Sequence, residues 1–194
     1  MSNLFAKVEQ EAFRAGITPR TKQSRDWFRS KLSSMGVSRN TLMRDEQLKL
    51  VNKSQPLIGS MNMFFYDPKH KKTLPYYDRF PLSVIVGPAE GGFYGLNLHY
   101  LPPVLRAKML DALMGVTNNK KYDDSTKFEI SYKLLVATSR LRFFKPCYKH
   151  YLFAHVKSRL ARVSAPEWEI ATFLPTADFE GSKGKVYSDS RRMI

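Results

Sequence analysis

Residues 91–103 read GGFYGLNLHYLPP: two glycines, alternating aromatic and aliphatic side chains, one histidine and two prolines. How this stretch is read decides the fold. Gly91 and Gly92 suit a tight reversal, and Phe93 to Tyr100 has the texture of a half-buried strand. Pro102-Pro103 then turns the chain into the first turn of a helix. Alternating aromatics in such a strand need no ligand, so they are assigned to the core rather than to a binding surface.

Working outward, IGSMNMFFYDP (residues 58–68) and FPLSVIVGP (80–88) are short apolar runs broken by Asp-Pro and Gly-Pro, the punctuation of strands. PAEGG (88–92) is a hairpin connection between the second and third runs. After residue 101 the period becomes helical. Leu105, Met109, Ala112, Leu113 and Val116 share one face, a second helix capped by Asp123 or Asp124 carries Phe128, Tyr132, Leu135 and Val136, and a third opens at Pro146 with Tyr148, Leu152, Val156 and Leu160. The tail FEGSKGKVYSDSRRMI (179–194) allows one last strand and is otherwise expected to be mobile.

Upstream, Ser2 can cap a helix with Phe5, Val8 and Ala12 on one face, stopped by Gly16, and Thr18-Pro19 restarts the pattern. In that second helix Trp27, Phe28, Leu32 and Met35 form the apolar stripe, with Arg20, Lys22, Arg25, Arg29 and Lys31 around it. Residues 37–55 read as a short helix and a linker. The expected architecture is α+β: a small antiparallel SH3-like barrel or curled sheet with N-terminal and C-terminal helices. Residues 1–56 form a basic helical region and 57–194 a single core, with strands over 57–101, helices over 102–163 and a mobile tail.

The chain's 194 residues can bury a real core, and 43% hydrophobic and 13% aromatic content place its charge on a folded scaffold. That charge is +15, from 32 Lys+Arg against 17 Asp+Glu. The excess sits in residues 1–55 and 117–194, with the middle nearly balanced. A polyanionic partner follows, nucleic acid being the commonest, with an anionic membrane or a plain solubility charge as the blander readings. A single cysteine, Cys147, leaves no internal disulfide and no cysteine zinc site, as in a reducing compartment. No signal peptide is expected at the start, and no apolar run approaches the roughly 20 residues of a membrane span.

The chemistry expected is binding. Of four histidines, His150 and His155 are five apart and so diverge on a helix, while His99 is expected to be packed or hydrogen-bonded. P-loop, nucleophile-elbow and HExxH patterns are absent. A metal-dependent nuclease could be built on Asp67-Pro68-Lys69 with Asp78, Glu46 or Glu90, but the match is three residues long and Pro68 reads as a turn. No enzyme, cofactor or metal is therefore assigned. The stronger feature is residues 139–162, where Arg140, Arg142, Lys145, Lys149, Lys157, Arg159 and Arg162 alternate with Phe143, Phe144, Tyr148 and Tyr151. On a helix this buries the aromatics and exposes cations able to hold phosphates, while an exposed aromatic could stack on an unpaired base. A solvated face that only confers solubility is the alternative.

The segments MNMFFYDPKHKKTLPYYDRFPL, GGFYGLNLHYLPPVLRAKMLDAL, KYDDSTKFEISYKLL, FFKPCYKHYLFAHVKSRL, PEWEIATFLP and VYSDSRRMI, in this order, resemble the DNA end protector proteins of T4-like tailed bacteriophages. The resemblance runs from about Gly59 to the C-terminus, and LPYYDRFPL and GLNLHYLPP are its most specific parts. It implies a virion protein, present also in the host cytoplasm during assembly and after injection. Such a protein acts in head completion and sits on the ends of the packaged linear double-stranded genome, blocking host exonuclease. Its implied partners are DNA ends and phage head, neck or tail proteins, with no membrane. No site residue is carried over, and a structural place at the neck, tail or baseplate stays open.

Overall fold

The computed structural model describes residues 4–44, 49–50, 57–117, 133–134, 137 and 141–194. Helix α1 (Leu4–Arg14) buries Phe5, Val8 and Ala12 and stops before Gly16, which takes the left-handed φ of 67°. Helix α2 (Lys22–Ser33) begins after Thr21 rather than at Pro19. The Thr21 hydroxyl accepts from the Ser24 N–H at 3.0 Å while the Ser24 hydroxyl accepts from the Thr21 N–H at 3.0 Å, a reciprocal capping box. Phe28 and Leu32 face inward. A short α3 (Arg39–Arg44) follows, and the expected linker contains strand β1 (Lys49–Leu50).

The remaining strands are β2 (Met61–Met63), β3 (Tyr77–Asp78), β4 (Leu82–Ala89), β5 (Gly92–Asn97), β6 (Tyr148–Leu152), β7 (Ala161–Val163) and β8 (Phe179–Glu180). Among the described residues, six of them pair in the order β1-β7-β2-β4-β5-β6, all antiparallel, and β3 pairs with β8 separately. Among the described residues the end strands β1 and β6 do not pair. The fold is thus α+β with an open sheet, and the closed SH3-like barrel is set aside. The β4–β5 hairpin forms where expected, with Ala89 opposite Gly92 and Gly91 at φ 64° in the turn. The strand from Phe93 ends at Asn97, and Leu98–Tyr100 is a 3-10 turn capped by the Asn97 side chain.

Alternation along the strands gives the sheet two apolar faces. Met61, Met63, Leu82, Val84, Leu96, Ala161 and Val163 join the main core beneath the helices, which contribute Phe5, Val8, Phe28, Leu32 and Leu42. Phe64, Tyr66, Ile85, Phe93 and Tyr151 form a smaller aromatic core on the other face. Helix α4 (Pro103–Thr117) starts at the proline pair as expected and buries Arg106, Met109 and Leu110. The helix from Asp123 or Asp124 lies outside the described residues except for 133–134 and 137, which are helical. No helix among the described residues is long and apolar enough to cross a membrane.

Two expectations are overturned. The helix from Pro146 is instead strand β6, a 3-10 turn (Phe153–His155) and strand β7, so 102–163 is not all helical. Here pairing overrides periodicity: β6 lies against β5, where Tyr94 stacks on Tyr148 (centroids 5.2 Å apart, planes at 19°) and Phe93 meets Tyr151 at 5.4 Å. The tail, expected to be mobile, is not without regular structure either. After β8 it forms a C-terminal helix, Lys183–Met193, whose Val186 and Ser190 are buried one turn apart. Between β7 and β8 lies one more short helix, Trp168–Phe173.

Gly92 is what lets β5 and β6 approach, because a Cβ there would sit 1.8 Å from the Tyr151 carbonyl oxygen. Gly92→Ala must push the strands apart, and a loss of about 3 kcal/mol is expected, the upper end for overpacking. Urea denaturation followed by tyrosine fluorescence checks it. An unchanged midpoint would refute the close pairing.

Candidate nucleic-acid interface

The two segments singled out above, LPYYDRFPL and GLNLHYLPP, meet at one buried carboxylate. Asp78 Oδ2 accepts from His99 Nδ1 at 2.7 Å and Asn97 Nδ2 at 2.9 Å, and Oδ1 accepts from the N–H groups of Phe80 and Asp178, both at 3.1 Å. His99 Nε2 lies 3.3 Å from the Thr176 hydroxyl. Below this, buried Arg106 donates to the carbonyls of Leu101, Thr172 and His99 and to the Tyr187 hydroxyl, at 2.6–3.1 Å. Burial pushes the His99 imidazole below its ordinary range against the pull of Asp78, with Arg106 adding to the effect. The ring is accordingly neutral, donating from Nδ1. Burial opposes the charge on Asp78, yet His99, Asn97 and the Phe80 N–H together hold its carboxyl below the ordinary value. His99 is thus the hydrogen-bonded histidine the sequence suggests.

Above this network a cleft of about 460 Å³ opens between β6 and the segment 66–77. Five tyrosines line it: Tyr66, Tyr76, Tyr77, Tyr100 and Tyr151. Lys69 and Lys149 supply its cationic groups, and the His70 and His150 imidazoles line it beside them. The Lys149 ammonium lies 4.0 Å from the centroid of the Tyr100 ring, a cation–π contact, and burial lowers its pKa. Asp78 is the one acidic residue of the lining, and both its oxygens are taken. Tyr76 and Tyr77, both in this lining, are half-buried.

The six described cations of the expected seven do not share one helix face. Arg140 lies outside the described residues. Arg142 is exposed on a 3-10 turn and donates to the Met193 carbonyl at 3.1 Å, and Lys145 is exposed beyond it. Lys149 is in the cleft. Lys157 and Arg159 are exposed on the connection between β6 and β7, and Arg162 is half-buried on β7 opposite Asn62. His150 and His155 fall on β6 and on the 3-10 turn, not on a helix; His155 Nδ1 lies 2.8 Å from the Asp67 carbonyl oxygen.

The run DPKHKK, whose Asp67 and Lys69 suggest a nuclease motif in sequence, belongs to the cleft. Lys71 grips both Asp67 oxygens at 3.0 Å, while Lys69 and His70 line the opening. The signal available was the adjacency of this basic run to the tyrosines of LPYYDR. Of the carboxylates proposed to join Asp67, Asp78 is engaged in the network and Glu46 lies outside the described residues. Among the described residues no three His, Cys, Asp or Glu side chains group as metal ligands.

Compared with known proteins, the chain matches, over residues 3–193, the family model described as phage T4 terminal DNA protecting protein. No curated protein and no solved structure matches it.

The buried pair makes stability depend on pH with a definite sign. His99 is ordinary when unfolded, near 6.5, and lower when folded, so below about pH 6.5 the unfolded chain takes up a proton that the folded chain does not, and stability falls. Asp78 acts later, its contribution being complete above its unfolded value of 3.8 and lost as the pH drops through the depressed folded value. The urea midpoint should decline between about pH 7.5 and pH 5, and His99→Gln should remove most of that decline while lowering stability at both ends. An equal decline in the variant would show that His99 is not its source.

Proposed function

The chain belongs to the phage T4 terminal DNA protecting protein family, and from that premise we propose that it binds the ends of a packaged linear double-stranded genome and shields them from host exonuclease. The observation that carries this reading is the family match across residues 3–193. The charge of +15 agrees with it. Lys and Arg side chains displace condensed counterions from phosphates, giving affinity that falls with salt and carries no base preference. Exposed Arg142, Lys145, Lys157 and Arg159 are the groups we assign to that contact. Arg25 and Arg29 of α2 are less suited, since Arg25 is buried against Asp111 and Arg29 pairs with Asp26 at 3.2 Å. Arg140, Lys149 and Arg162 complete the basic set.

On this reading protection is steric and involves no catalysis. The protein's bulk on the terminal base pairs denies an exonuclease its entry, and the protein acts in head completion, before the genome leaves the particle. A purely structural role at the neck, tail or baseplate is the second reading, favoured by the Phe13 ring, which is 83% accessible on α1 as a contact for a protein neighbour would be.

Exonuclease digestion of linear duplex at two salt concentrations, with and without closed circular competitor, decides between them. Protection that survives the competitor is expected. Protection lost to the competitor would leave nonspecific basic binding and the structural role. Changing Arg142, Lys145, Lys157 and Arg159 together to Gln should flatten the dependence of log affinity on log salt by about 0.9 per lost phosphate contact. An unchanged slope would move the phosphate surface to other cations.

A further inference from the structure

Phosphate contacts do not distinguish an end from the middle of a duplex, so end binding needs a second element. The tyrosine-lined cleft has the properties required. Its volume, about 460 Å³, falls at the small-ligand end of binding sites, enough for one nucleotide and far too little for a stacked base pair. Its walls combine flat aromatic surface with cations. Lys149 is held largely buried over the Tyr100 ring and pairs with no carboxylate among the described residues. A cation withdrawn from water and facing an open cleft favours an anion there. The single carboxylate of the lining cannot serve, because its lone pairs are already taken by His99, Asn97 and two backbone N–H groups.

A nucleotide enters such a site only after leaving the stack. Extrusion is least costly for a base that is already unpaired, a condition that an overhanging or frayed DNA terminus meets and internal duplex does not. Resting on the end-binding reading above, we propose that this cleft holds one unpaired nucleotide of the DNA terminus. Its base lies against Tyr76 and Tyr77, and its phosphate lies against Lys149, with Lys69 and His70 at the opening. Selectivity for ends then comes from the cleft and affinity from the exposed cations. The terminal nucleotide is also the one an exonuclease must grasp, so occupying the cleft removes the enzyme's substrate directly.

Photocrosslinking of the full chain tests this. Linear duplexes carry 5-iododeoxyuridine as a single-nucleotide 5′ overhang, as a single-nucleotide 3′ overhang, or at an internal pair. One overhang or both should crosslink about tenfold more than the internal position, as expected for a stacked base, and the adduct should map to the tryptic peptide 73–79, which contains Tyr76 and Tyr77, or to 150–157, which contains Tyr151. Equal yields at all positions, or an adduct outside these peptides, would overturn the proposal. In parallel, Lys149→Gln and Tyr77→Leu should each cut the preference for an overhang over closed circular DNA about tenfold, and Tyr77→Leu, which removes no cation, should leave binding to the circle unchanged. If both variants retain the preference, the cleft is not the end-reading site although end protection stands. If the wild type shows no protection and no overhang crosslink, the end-binding reading falls with it.

Discussion

The contact between Asp78 and His99 is the constraint on which the rest of the structure hangs. A carboxylate taken out of water is tolerable only when its lone pairs are filled, and Asp78 fills them from four directions: a ring nitrogen, a side-chain amide and two backbone N–H groups. The donors come from β5, the turn after it, the chain leaving β3, and the segment before β8. None of these can shift without leaving a buried charge short of partners. Removing one member of such a pair typically costs about 3–5 kcal/mol, more than a surface ion pair contributes.

The charge balance of this region also explains the protonation state. Arg106 already brings a full positive charge beneath Asp78, and its donors end on neutral carbonyls and a tyrosine hydroxyl. A second cation on His99 would have no counter-ion, so the ring stays neutral and serves as a rigid donor. Through Arg106 the same network reaches the helix Trp168–Phe173 at Thr172 and the C-terminal helix at Tyr187. Distant parts of the chain are therefore fastened to the floor of the cleft. On the far side, Ser24 donates to buried Glu169 at 2.5 Å and Arg39 donates to the carbonyls of Thr176 and Ala177, joining the N-terminal helices to the same layer.

What was legible in the sequence is what local chemistry dictates. Helices α1, α2 and α4 follow from apolar spacing with caps and prolines, and β2, β4 and β5 from short apolar runs set off by Gly and Pro. Strand β6 was not legible, because YKHYLFAHV carries an apolar residue at both two-residue and four-residue intervals. The choice between them is made by a partner more than fifty residues away, where Gly92 and Gly95 leave room for Tyr151. The C-terminal helix is rich in Gly, Ser and Lys and has little propensity of its own, so its order comes from Val186, Tyr187 and Ser190 docking on the core. The site suffered from the same cause. The basic cluster of residues 139–162 is divided by strand β6, and of its described members only Lys149 lines the cleft.

Position on β6 gives Lys149 a role that its neighbours lack. Opposite it on β5 stands Gly95, so no side chain rises from the directly paired position, and the Lys149 ammonium lies over the Tyr100 ring instead. Among the described residues β6 ends the sheet, with no further strand on its open side. An uncovered strand edge invites pairing with another chain, and here the segment 66–77 lies along it, with the Tyr66 hydroxyl accepting from the Leu152 N–H at 3.2 Å. That segment covers the edge without filling the space beside it. The cleft is what remains between a strand edge that had to be protected and a basic, tyrosine-rich segment that protects it, and the same geometry that guards the edge brings Lys149, Lys69 and several aromatic rings to one opening.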